Sequence, residues 1–182
     1  MKKLKNQGFI QFVLLLSALL FYGLESKAQK STTLTDPEIA SVAVTANQID
    51  IDYANIALLR SKNAEVLNFA HTMANDHKAI IDQAVALVTK LGVTPKTNAV
   101  TKSLLDGEKT TIKKLKAKKG VAFDKAYISN EVAYHKAVIG AVETLLIPQA
   151  KNAELKALLV KVMPALKEHL AHAEMLNKSI NK

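Results

Sequence analysis

The sequence predicts an all-α protein, a bundle of four long helices with one additional crossover helix. Four stretches carry apolar residues at alternating steps of three and four, the spacing of the buried face of a bundle helix. No stretch alternates apolar and polar residues as a half-buried strand does. The connection between the first two helical stretches is only two or three residues long, which makes them antiparallel neighbours.

The N-terminal residues predict export. Three lysines among the first five residues precede an apolar run at 9–24, and small residues follow at the −3 and −1 positions of a cut after Ala28. We therefore expect a cleaved signal peptide at 1–28, a polar leader at 29–35 and a helical domain at 36–182. The alternative is an uncleaved membrane anchor, for which the run is short. No cysteine follows the run, which excludes a lipid-anchored lipoprotein.

The first two helices have clear ends. Thr35 and Glu38 form a capping-box pattern, with a proline between them at the start of the helix, and we expect this helix at 36–61. A second apolar face predicts a helix at 64–91. Gly92 ends it, because glycine adopts the left-handed conformation that terminates helices.

The second half of the chain adds a crossover and two more bundle helices. The lysine-rich segment at 99–118 is weakly amphipathic, and a helix of this length spans about 30 Å, enough to return the chain along the bundle. We expect Asp124 to cap the next helix, whose apolar face passes through Val142 and Leu145. The last helix follows a break marked by Pro148 and Asn152.

Composition excludes several function classes. The chain has no cysteine, so it contains no disulfide, thiolate ligand or cysteine nucleophile. Its net charge is +9, and +6 without residues 1–28. In an exported protein this charge predicts no nucleic-acid binding and at most a weak contact with anionic envelope surfaces. No nucleophile elbow, phosphate-binding loop or dinucleotide fingerprint is present, so nothing in the sequence supports an enzyme. Protein partners and oligomeric state stay open.

Three histidines occupy positions where the apolar pattern expects a core residue. His77, His135 and His169 lie on three different helices. If the crossover helix returns the chain to the end at which the first two helices connect, the rise of a helix places them about 21, 17 and 15 Å from that end. They therefore fall within about one helical turn of each other, and their imidazoles are expected to converge.

Carboxylates accompany these histidines. Glu131 lies one turn before His135, and Asp50 borders the buried face of the first helix in the same layer. The secondary candidates, on adjacent or neighbouring positions, are His172, Asp76 and Glu168. Imidazole and carboxylate together suit a single zinc, iron, copper or nickel ion. The alternative is a buried hydrogen-bonded network that fixes helix register in a non-catalytic structural or interaction module of the envelope.

Three segments resemble the domain of unknown function 4142 family. They are the run Phe-Ala-His-Thr-Met-Ala-Asn-Asp-His at 69–77, the pattern Phe-Asp…Tyr…His at 123–135, and Pro164 with His169. The resemblance covers about residues 36–178. It implies an exported bacterial protein with a ferritin-like bundle, and it brings no established activity.

One departure from ferritin-like proteins affects the expected site. Their di-iron centres use Glu-x-x-His on two helices, whereas Ala74 and Leu166 stand three residues before His77 and His169. Asp50 stands where the resemblance implies a first-helix glutamate. We therefore expect one histidine-rich ion site in a periplasmic protein. A redox or peroxide-scavenging enzyme follows only from analogy of fold.

Overall fold

Five helices make up most of residues 33–182, the part of the chain that the computed structural model describes. They are α1 (Asp36–Arg60), α2 (Ala64–Lys90), α3 (Ala99–Lys116), α4 (Gly120–Ala141) and α5 (Ala153–Ile180). These described residues include no strand, which confirms the all-α prediction. The expected signal peptide and the first residues of the leader lie outside the described range. Leu34, at the end of the expected leader, packs into the core.

The chain caps most of these helices with its own side chains. The Glu38 carboxylate accepts hydrogen bonds from the backbone N–H and the hydroxyl of Thr35, as predicted for the start of α1. Asparagine side chains accept backbone N–H groups at the starts of α2, α3 and α5. Gly92, with φ +62°, ends α2 in a Schellman motif, since the N–H of Val93 donates to the carbonyl of Val88.

Contacts between helix ends define the topology. The Asp36 carboxylate accepts N–H groups of Lys151 and Asn152, which places the starts of α1 and α5 at one end, called here the lower end. The Lys90–Glu154 ion pair places the end of α2 at the lower end as well. At the upper end, Arg60 donates to the carbonyls at the end of α3.

Helix α3 is the crossover that the sequence predicts. The Asn98 amide before α3 donates to the carbonyl of Glu38, at the lower end, while the end of α3 meets Arg60 at the upper end. α3 therefore runs parallel to α1 and returns the chain to the upper end. The other four helices run up, down, down and up around the core, and α3 packs outside them against α1.

The prediction that Asp124 caps α4 is wrong. The helix begins one turn earlier, at Gly120, whose φ of +54° turns the chain after the short connection at 117–119. Asp124 is buried inside the first turns. The earlier start is favoured because it places Phe123, which is fully buried, on the same face as Tyr127.

A π-helical turn shifts the buried face of α4. After Ala141 the chain continues through this turn (Val142–Leu146) and a last α-helical turn (Ile147–Gln149). The N–H of Ile147 donates to the carbonyl of Val142, five residues back, so the turn holds one extra residue. The core position predicted for Leu145 is therefore taken by Leu146.

The core divides into two clusters. The upper cluster, called here the aromatic half, is built around Phe69, Phe123 and Tyr127. The lower cluster, called the aliphatic half, includes Ile39, Leu146 and Leu159. Within residues 33–182, no helix has the length and apolar character needed to cross a membrane.

Candidate metal centre

Side chains from four helices meet in one layer between the two halves of the core. They are Asp50 on α1, His77 on α2, Glu131 and His135 on α4, and His169 on α5, and all are buried. The three imidazole centroids form a triangle with sides of 5.6, 5.2 and 5.6 Å. One donor atom from each histidine lies within 4.8 Å of the others. The histidines predicted from helix rise therefore converge.

Each histidine is oriented by a hydrogen bond from one ring nitrogen. Nδ1 of His135 lies 3.0 Å from the carbonyl of Glu131, which can only accept, so this nitrogen carries the proton. Nδ1 of His77 lies 2.7 Å from Oδ1 of Asn47, whose amide nitrogen donates to the carbonyl of Ala43. Nε2 of His169 lies 3.0 Å from Oδ2 of Asp76. In the neutral imidazole, the second nitrogen of each ring then presents a lone pair.

The nitrogens with these lone pairs have no hydrogen-bond partner among the described residues. They are Nε2 of His77, Nε2 of His135 and Nδ1 of His169. Oδ2 of Asp50 lies 3.5 Å from Nε2 of His77 and 3.6 Å from Nε2 of His135, and both distances are too long for a strong hydrogen bond. Two donor atoms that lie about 2.0–2.1 Å from one tetrahedral ion are about 3.3–3.4 Å apart. The observed separations are close to that ligand spacing.

The surroundings keep two of the imidazoles neutral. Burial, followed by the neighbouring His135 and His169, lowers the pKa of His77 well below its usual value. Burial lowers the pKa of His135 to about 4, against a smaller opposing effect of its bond to the Glu131 carbonyl. Neutral imidazole is the form that binds metal ions, so His77 and His135 are held in the form that a ligand needs.

Both buried carboxyl groups of the layer hold their protons more tightly than a carboxyl in water. Burial raises the pKa of Asp50 to about 7. Burial and then the charge of Asp50 raise the pKa of Glu131 well above its usual value, because neighbouring buried carboxylates do not readily ionise together. Position makes Asp50 the better ligand of the two, because its Oδ2 lies 3.5 Å from Nε2 of His77 and 3.6 Å from Nε2 of His135. Glu131 lies behind His135, with Oε2 3.7 Å from Nδ1.

The secondary candidates have different positions. Asp76 is half exposed and reaches across from α2 to orient His169. His172 packs edge-on against Phe69 and does not join the three converging histidines. Glu168 is exposed on α5. Asn47 is a site residue that the sequence did not predict, although its position three residues before Asp50 places both side chains on one face of α1.

Comparisons with known proteins concern the family and the fold. A family model described as "Domain of unknown function (DUF4142)" matches residues 23–176. No curated protein matches the sequence. A solved structure, "CopM in the Cu(II)-bound form", matches with a TM-score of 0.61 and 13% sequence identity. The match covers 81% of this chain and 99% of the other, and at this identity it supports similarity of fold only.

Proposed function

The chain belongs to the DUF4142 family, and we propose that it is an exported, ferritin-like protein that binds one transition-metal ion in its core. The ligands are Nε2 of His77, Nε2 of His135, Nδ1 of His169 and the Asp50 carboxylate. Asp50 gives the site one negative charge, which partly balances a divalent ion. The protein holds or senses the ion and does not turn over a substrate.

The unpaired inward-facing nitrogens carry this proposal. A purely structural histidine–acid network pairs its buried polar atoms, since each unpaired one costs about 1–3 kcal/mol. Here three imidazole nitrogens lack a hydrogen-bond partner within residues 33–182. One donor atom from each of these three rings lies within 4.8 Å of the others. The opposite nitrogen of each ring is held by Asn47, Glu131 or Asp76. This arrangement is typical of metal-bound histidine.

Copper and zinc are the first ions to test. The separations of Asp50 from His77 and His135 are close to those of a tetrahedral site, the geometry that zinc prefers. The similar structure, CopM, is in a Cu(II)-bound form. Copper also binds imidazole more tightly than the other divalent ions of its row. A two-iron centre is not proposed, because Ala74 and Leu166 lack the carboxylates that it needs.

Export is a separate part of the proposal and needs its own test. The apolar run at 9–24 and the small residues before Gln29 support cleavage after Ala28. Determining the N-terminal residue of protein recovered from the periplasmic fraction tests this. A chain beginning at Gln29 agrees with the proposal, and a chain retained with its first 28 residues contradicts it.

The metal site is tested by melting the chelator-stripped protein with and without copper, zinc, iron, nickel and manganese. An ion present at 100 times its dissociation constant should stabilise the native state by about 2.7 kcal/mol. His77→Ala should abolish this effect. His71→Ala is the matched control, because His71 lies on the same helix but is exposed, and it should leave the effect intact. Lack of stabilisation by every ion, or equal loss in both variants, would contradict the proposal.

A further inference from the structure

An elongated cavity extends from the histidine layer into the aliphatic half of the core. Its volume is about 280 Å³. On α1 it is lined from Asp50 down to Ala40, and on α2 from His77 down to Val88. These are distances of ten and eleven residues, so the cavity is about 15 Å long. Its volume is nearly twice that of an engineered apolar cavity of about 150 Å³ that binds benzene.

The lining of the cavity is polar at one end and apolar elsewhere. The polar side chains that line it are Asn47, Asp50, His77, Tyr134 and His135. All five belong to the histidine layer or adjoin it, and the remaining lining is alanine, valine, leucine and isoleucine. An apolar cavity of this kind stays dry and takes apolar ligands. The segregation indicates a ligand with an apolar body and one polar end.

The chemistry of the polar end selects the head group. Tyr134 donates its hydroxyl to the carbonyl of Ala46, and the His77 proton is used by Asn47. The atoms left over at this end, Nε2 of His77 and Nε2 of His135, accept hydrogen bonds. No lysine or arginine lines the cavity, so no protein cation in its lining would offset the charge of an anionic head group. A neutral donor fits this end.

We propose that the cavity binds a medium-length aliphatic alcohol, with its hydroxyl at Asp50, His77 and His135 and its chain along the aliphatic half. In the metal-free protein the hydroxyl donates its one hydrogen to Nε2 of His77 or Nε2 of His135. The inference therefore does not rest on metal binding, and either proposal can fail without the other.

The test is a titration of the metal-free protein with octanol in the presence of chelator, followed by the amide resonances of cavity residues. We expect saturable binding at one site per chain. Ala84→Phe should weaken it at least tenfold by filling the cavity from α2. Ala141→Leu fills it from α4 and provides the test if the larger substitution prevents folding. Ala133→Leu, on the exposed face of α4, is the matched control and should bind normally.

A second comparison tests the head group. Hexanol should bind about fivefold more tightly than hexane, the gain from one net hydrogen bond. Three results would overturn the proposal. They are no saturable octanol binding, unchanged binding in both cavity-filling variants, and equal affinity for hexanol and hexane.

Discussion

The two halves of the core are built on the same helices, but their side chains differ. In the aromatic half, Tyr127 stacks with Phe123 at 6.3 Å and meets Phe69 edge-on at 6.2 Å between ring centroids. The buried residues of the aliphatic half carry no aromatic ring in the described chain, and the cavity of about 280 Å³ lies on that side. The same helical periodicity therefore gives two different halves. Large aromatic rings fill one half of the core, and a cavity remains in the other. The histidine layer lies at the boundary.

The largest expected effect comes from enlarging one alanine in each half of α2. Ala70 is fully buried in the aromatic half, and Ala84 lines the cavity. Ala70→Leu should lower the free energy of unfolding by about 1–3 kcal/mol, because added methylenes strain a filled core. Ala84→Leu should raise it by about 0.5–2 kcal/mol by filling space. Urea unfolding of the metal-free variants measures both free energies of unfolding. If both substitutions lowered the free energy of unfolding equally, the two halves would not differ in packing.

The orientation of His77 should set metal affinity. Asn47→Ala removes the acceptor that holds Nδ1 of His77, so the affinity for the bound ion should fall about 10–100-fold. Asn47→Asp keeps a hydrogen-bond acceptor at this position, so its affinity for the ion should fall less. Gln48→Ala, at the exposed neighbouring position, serves as the control in the same calorimetric titration. If Asn47→Ala bound the ion with wild-type affinity, the hydrogen bond to Asn47 would not be needed to orient His77 for metal binding.

The smallest expected effect is a change in pH dependence of the metal-free protein. The lowered pKa of His77 and His135 means that the unfolded chain binds more protons as pH falls from about 6.5 to about 4, which lowers stability. The raised pKa of Asp50, about 7, and of Glu131 acts oppositely. Their contribution is complete below about pH 4 and is lost as pH rises through the folded-state values.

Glu131→Gln removes the contribution of Glu131 and leaves that of Asp50. In that interval the free energy of unfolding of the variant should therefore fall more steeply on acidification, by on the order of 1 kcal/mol relative to wild type. Urea unfolding at a series of pH values, with chelator present, measures the slope. Parallel profiles for the two proteins would show that Glu131 does not carry the extra proton.

Much of the fold could be predicted because local rules and tertiary packing agree. The pattern at Thr35 and Glu38, the glycine at 92 and the apolar spacing each have a local cause, and the structure has those elements. Helix rise, together with a crossover that returns the chain to the same end, was enough to bring His77, His135 and His169 into one layer. Asp124 was misread because an acidic residue before an apolar face is typical of a cap. Here the burial of Phe123 decides where the helix starts.

Other features depend on information that periodicity does not carry. The π-helical turn at 142–146 replaces Leu145 by Leu146 in the core, and no residue pattern marked it. The role of Asn47 depends on which way the His77 ring faces. The cavity depends on the summed volumes of side chains from several helices, so no single position predicts it.

Metal binding in the core is decided by the structure of the ion-loaded protein, with the ion located by anomalous scattering. We expect one ion in the histidine layer, about 2.0–2.2 Å from Nε2 of His77, Nε2 of His135, Nδ1 of His169 and an oxygen of Asp50. An ion held only at surface histidines such as His71, or a layer bridged by ordered water and free of metal at saturating ion, would contradict it.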